Sequence, residues 1–236
     1  MNQIEDIGEV TESRTFHQLG ILVLDGSGSM QATGDGNISL AESVNRAVRE
    51  FLGFFKNSSI ANNFSFAVIT FDNNAKVHTP ITELPKVDDF GDYNPMNGHG
   101  GGTFIGGALA EAENLAKQFL NSPEASSIPH DVRIIVMSDG LCQAPDKTKE
   151  IANELKGCSK MMICSSLFTQ ASKAGETETS EAKTVLADIA SAANLYKTTY
   201  KETDLRQFFI SSMSAKKPRE EQSSTKTLCP ICQTMH

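Results

Sequence analysis

The sequence predicts an α/β fold, a three-layer sandwich whose sheet is doubly wound and mostly parallel. Three observations carry this expectation. Apolar runs of strand length alternate with helical patterns along most of the chain. Two of those runs, LGILVL at 19–24 and VRIIVM at 132–137, are apolar on nearly every residue, as strands buried on both faces require. Both run directly into an aspartate-bearing turn, at Asp25 and at Ser138-Asp139-Gly140.

The elements follow in order. Residues 1–16 form a polar lead-in without the apolar block of a secretory signal. The first strand, 19–24, is interrupted only by Gly20. A helix starts at Ser39, a cap residue, and runs to Lys56, with Leu40, Val44, Ala47, Val48, Phe51 and Leu52 at helical spacing. Residues 64–71 read as a strand, Asn73-Asn74 as a turn and 75–81 as a returning strand, which gives an antiparallel edge. A glycine-rich loop at 88–102 leads into a helix from Phe104 to Leu120. After the second buried strand come a helix at 147–156, a strand at 160–168 and an alanine-rich helix at 178–193. A short strand at 195–198 and a helix at 204–214 close a domain spanning 17–214. Residues 215–227 read as a polar linker to the tail LCPICQTMH.

Composition narrows the function. The net charge of −8 disfavours nucleic acid as a partner, because phosphate binding needs a basic face. The run at 19–24 is too short to span a membrane. Five cysteines at irregular spacing, in a chain large enough to do without disulfides, fit a reducing cytoplasm.

The chemistry lies where the two buried strands end. In such sheets ligands sit beyond the carboxyl ends of the strands, where the winding reverses. If the two strands are neighbours, Asp25 and Asp139 meet in one crevice, with Ser27 and Ser29 beside them. Carboxylates and hydroxyls are hard oxygen ligands that suit Mg²⁺, with Mn²⁺ or Ca²⁺ as alternatives. Gly26 and Gly28 read as the residues that let the loop turn tightly. Thr103, after three glycines and before a helix, is either a further oxygen ligand or the cap of that helix. His99, in the glycine loop, reads as a solvated histidine.

Asp25-x-Ser27-x-Ser29, Thr103 and Asp139 resemble the metal-ion-dependent adhesion site of von Willebrand factor type A domains. The resemblance covers about residues 17–214. It implies six strands with the first and fourth at the centre. It also implies a non-enzymatic protein-interaction module, in which a carboxylate from a partner protein fills a coordination position left open on the metal. The chain is most similar to bacterial cytosolic members of the TerY-like type, associated with tellurium resistance and stress-response or phage-defence clusters. That likeness implies a cytoplasmic location and a kinase, phosphatase or AAA ATPase as partner class.

In the tail, Cys229, Cys232 and His236 form C-x2-C-x3-H, a zinc-knuckle pattern that supplies three ligands where a structural zinc takes four. The remaining ligand is left open: another chain, an upstream residue, or sequence beyond the tail. Cys142, Cys158 and Cys164 read as core or near-surface residues.

Other readings fit less well. An EF-hand loop counted from Asp25 would put Met30 where glycine is needed and Gly36 where glutamate is needed. A dinucleotide fingerprint started at Gly26 meets Gln31 at its third glycine. By family likeness, an aspartyl phosphotransferase would need aspartate at 27. The alternative of a metal-dependent hydrolase or phosphotransfer enzyme lacks a general base or nucleophile in reach of the oxygen cluster.

Overall fold

A computed structural model describes residues 14–216 together with 229, 231 and 232. Six strands form one sheet: β1 (His17–Asp25), β2 (Phe64–Phe71), β3 (Ala75–Glu83), β4 (His130–Ser138), β5 (Met161–Phe168) and β6 (Tyr196–Thr199). Their order is β3-β2-β1-β4-β5-β6, and all neighbours are parallel except β2 and β3. The winding therefore reverses between β1 and β4. Five helices pack on it: α1 (Leu40–Lys56), α2 (Ile105–Leu120), α3 (Pro145–Lys156), α4 (Thr177–Ile189) and α5 (Glu202–Ser214).

The alternation of side chains along β1 divides the core. Leu19, Ile21 and Val23 join the layer under α2, α3 and α4, while Leu22 and Leu24 join the layer under α1 and α5. A strand of this kind has no solvent face, which is why its sequence is apolar almost throughout. Gly20 breaks the run because a Cβ there would lie 2.5 Å from the Phe66 ring and 2.8 Å from Met213 Sδ. The edge strand β3 shows instead an alternation of half-buried and exposed residues and accommodates Pro80, as edge strands do.

Local signals set the helix ends. Ser39 caps α1, its hydroxyl accepting from the Glu42 amide at 3.1 Å. The sequence expectation for α4 fails at its end: the helix stops at Ile189, not at 193. There Ser191 pairs with β5, its amide donating to the Ile163 carbonyl at 2.9 Å and its hydroxyl accepting from the Ile163 amide at 2.9 Å. That pairing pulls the chain out of the helix and toward β6. Among the described residues, no helix is long and apolar enough to cross a membrane.

The expected linker lies almost wholly outside the described residues, as do residues 1–13. The tail cysteines do not form a separate unit. Cys229, Ile231 and Cys232 are buried against the core layer under α2, α3 and α4.

Candidate metal centre

Asp25 ends β1 and Ser138 ends β4, side by side at the switch point. The Ser138 hydroxyl donates to Asp25 Oδ2 and the Ser27 amide donates to Asp25 Oδ1 at 2.7 Å. Ser27 Oγ lies 3.0 Å from Ser29 Oγ, and the Ser29 hydroxyl donates to Asp139 Oδ1 at 2.8 Å. Asp25, Ser27, Ser29 and Asp139 are thus one continuous oxygen cluster. Asp25, Ser27 and Thr103 are buried, Asp139 is half-buried and Ser29 is exposed. Thr103 stands beside them: a Cβ added at Gly140 would lie 3.5 Å from Ser29 Oγ and 3.8 Å from Thr103 Oγ1. The structure therefore gathers all five residues at one place.

The cap reading of Thr103 is overturned. Helix α2 begins at Ile105, its N-cap position is Phe104, and no side chain caps it. The Thr103 carbonyl accepts from the Gln143 amide at 2.9 Å, which joins the glycine loop to the turn after β4.

Burial raises the Asp25 carboxyl to about 7, and the nearby Asp139 charge pushes the same way, against the hydrogen bonds from Ser138 and Ser27. Burial also raises Asp139, while Ser29's hydrogen bond and the Lys173 charge pull it down. Among the described residues, no cationic side chain forms an ion pair with either aspartate. Two desolvated carboxylates and three hydroxyls, with no cation in ion-pair contact among the described residues, have the chemistry of a hard cation's site, so the residues fit a divalent ion. Above them opens a cleft of about 160 Å³, lined by Ser29, Thr103 and Asp139 on one side and by Lys173, Glu176 and Glu178 on the other.

Two expectations for the surrounding loops need correction. The Gly26 and Gly28 backbones do not take the left-handed conformation reserved for glycine. Close approach is what sets both positions: a Cβ at Gly26 would lie 2.0 Å from the Pro95 carbonyl oxygen, which excludes a side chain, and one at Gly28 would lie 3.0 Å from that of Gly100, a tight contact. His99 is not solvated. Its side chain is 5% exposed, with Nε2 3.0 Å from Thr70 Oγ1 and Nδ1 3.2 Å from Asp72 Oδ1.

Sequence reasoning passed over Asp72, which fastens the glycine loop. Its Oδ2 accepts from the Gly101 amide and its Oδ1 from the Asn74 amide, both at 3.0 Å. Burial alone would raise this carboxyl, but hydrogen bonds from Asn74, His99 and Gly101 outweigh it and hold the group below its usual range. The legible signal was an aspartate directly after a buried strand, the same signal that singled out Asp25 and Asp139.

Comparison with known proteins decides the family. The family description "von Willebrand factor type A domain" matches residues 21–141, about half of the chain. The chain belongs to that family. A search of curated proteins found no match. Among solved structures, this type A domain is similar to the pilus adhesin SpaC of Lactobacillus rhamnosus GG, with a TM-score of 0.69 at 12% identity over 86% of this chain and 30% of that one. It is also similar to the vWF domain of the pilus tip protein Mfa5 of Porphyromonas gingivalis, with a TM-score of 0.64 at 15% identity over 90% and 100% of the two chains. A third match is proximal thread matrix protein 1 of the mussel byssus, with zinc in its MIDAS (adhesion-site) motif, at a TM-score of 0.57 and 17% identity over 84% of this chain and 45% of that one. The chain spans about a third of the length of SpaC and about half that of the mussel protein. At these identities the likeness is one of fold. Type A domains serve as adhesion or protein-interaction modules, some of them with a bound metal.

Proposed function

We propose that this type A domain is a metal-dependent protein-interaction module. A divalent cation, Mg²⁺ or alternatively Mn²⁺ or Ca²⁺, is held by Asp25, Ser27, Ser29, Thr103 and Asp139, and a carboxylate of a partner protein docks on it from the cleft. When bound, the cation supplies a positive centre that an Asp or Glu side chain can meet in a charge-assisted contact. The rest is the work of this chain. Ser138 and the Ser27 amide orient Asp25, Asp72 and Asn73 hold the glycine loop that carries Thr103, and Lys173 adds positive charge at the rim. Glu176 and Glu178 at the same rim disfavour a purely acidic partner, so the docking carboxylate belongs beside a basic residue. The observation that carries this reading is the Asp25–Ser27–Ser29–Asp139 cluster at the switch point, with Asp25 and Ser27 buried and, among the described residues, no cation paired with either aspartate. The TerY-like resemblance supports a place in a bacterial stress-response or phage-defence assembly, with a kinase, phosphatase or AAA ATPase as the partner class.

The test compares wild type with Asp25→Ala and Asp139→Ala, each first shown to be folded by circular dichroism. Calorimetric titration with Mg²⁺ or Mn²⁺ should show binding to wild type and none to either variant. Proteins captured from the native host in Mg²⁺ should be absent from both variants. Partners retained by both variants would show that docking does not pass through the metal.

A further inference from the structure

A second cluster lies at the opposite end of the sheet. Cys158 sits in the turn between α3 and β5, its carbonyl accepting from the Met161 amide at 3.0 Å and its amide donating to the Leu155 carbonyl at 3.1 Å. More than 70 residues later in the chain, Cys229 and Cys232 come back to it. The three sulfur atoms all lie within 4.8 Å of one another, and the residues are 0%, 4% and 5% exposed. Ile231 between the tail cysteines is buried in the core, and its carbonyl accepts from Asn121 Nδ2 at 3.1 Å, just past the end of α2.

We propose that Cys158, Cys229 and Cys232 bind a structural zinc ion, and that this zinc fastens the tail to the domain. The sequence expectation for His236 lies outside the described residues. Cys158 is the upstream ligand that the tail sequence alone left open. The sulfur spacing is right: zinc–thiolate bonds of about 2.3 Å in a tetrahedron place sulfurs about 3.8 Å apart. Three thiolates are the larger part of the Cys₄ and Cys₃His sets that structural zinc sites use. The surroundings are right as well, since all three cysteines are buried against the core layer under α2, α3 and α4. The ligands are soft sulfur, unlike the hard oxygens of the adhesion site, so the two sites select different metals.

The experiment measures zinc by elemental analysis on full-length protein purified in reductant without added chelator. Wild type and Asp25→Ala should each carry a single zinc ion, which also separates this site from zinc in the adhesion cluster. Cys158→Ser should lose it during gel filtration. Should Cys158→Ser fail to fold, Co²⁺ replacement in wild type provides the second readout, through intense thiolate-to-cobalt absorption in the near ultraviolet and tetrahedral bands in the visible. Wild type without zinc, zinc unchanged in Cys158→Ser, or a metal-free Cys229–Cys232 disulfide in place of the ion would overturn the proposal.

Discussion

Gly26 shows how tightly single residues are held around the cluster. Its position between Asp25 and Ser27 leaves no room for a side chain, since the Pro95 carbonyl oxygen occupies the space. Gly26→Ala must therefore displace either the Asp25 turn or the glycine loop. Overpacking of this kind costs about 1–3 kcal/mol, and the displaced loop carries Thr103. The urea midpoint should fall and Mg²⁺ binding should weaken. Gly175→Ala is the control, because nothing lies within 4 Å of the added methyl; its stability should stay within about 0.5 kcal/mol of wild type. Equal midpoints for the two variants would show that the Pro95 contact yields without cost. Hydroxyl ligands stand lower in the ranking than the aspartates. Ser29→Ala and Thr103→Ala should each weaken Mg²⁺ binding, whereas Asp25→Ala should abolish it.

At the scale of elements, the strands and helices were legible wherever their cause is local. The cap at Ser39, the helical spacing in α1 and the fully apolar β1 all depend on residues a few positions apart, and the structure has them where the pattern puts them. What was illegible depends on remote partners. The end of α4 is set by Ser191 meeting Ile163, the burial of His99 by Thr70 and Asp72, and the place of Cys158 by a tail more than 70 residues away. The five-residue oxygen cluster was legible because strand ends are visible in sequence and the parallel order of β1 and β4 brings those ends together. The opposite ends of the same strands give a pH prediction. His17 at the start of β1 and His130 at the start of β4 have ring centroids 5.0 Å apart, and His17 Nδ1 lies 3.7 Å from Glu124. Burial lowers the His17 imidazole to about 4, with Arg14 and His130 adding to the effect and Glu83 opposing it. The unfolded imidazole takes its proton near 6.5. Between those values the unfolded chain binds more protons, so this group makes stability fall as pH drops from 6.5 toward 4. The raised carboxyls of Asp25, Asp139 and Asp131 act in the opposite sense, so the difference between variants isolates the histidine. His17→Gln should lose less stability than wild type between pH 7 and about pH 5, measured by urea denaturation at each pH. Parallel curves would rule out His17 as the source.

Considered as a whole, the molecule places an oxygen site and a sulfur site at opposite ends of one sheet. Strand β4 has nine residues, which at about 3.3 Å per residue separates its two ends by about 26 Å. Sites that far apart with no shared partner contribute independently, and their effects add within about 0.5 kcal/mol. Urea denaturation of wild type, Asp139→Ala, Cys158→Ser and the double variant tests this, with Mg²⁺ and Zn²⁺ added separately. Each ion bound only by the folded chain should stabilise it by about 2.7 kcal/mol at a hundredfold excess over its dissociation constant. Asp139→Ala should erase the Mg²⁺ increment and keep the Zn²⁺ increment, and Cys158→Ser should do the reverse. Without Mg²⁺, Asp139→Ala should be neutral or slightly stabilising, because it removes a like charge beside the buried Asp25. That change of sign on adding Mg²⁺ separates a metal ligand from an aspartate that merely supports the fold, which would destabilise equally in both conditions when removed. A double variant that departs clearly from the sum would mean that β4 and β5 transmit strain between the ends, coupling the tail's attachment to the oxygen cluster.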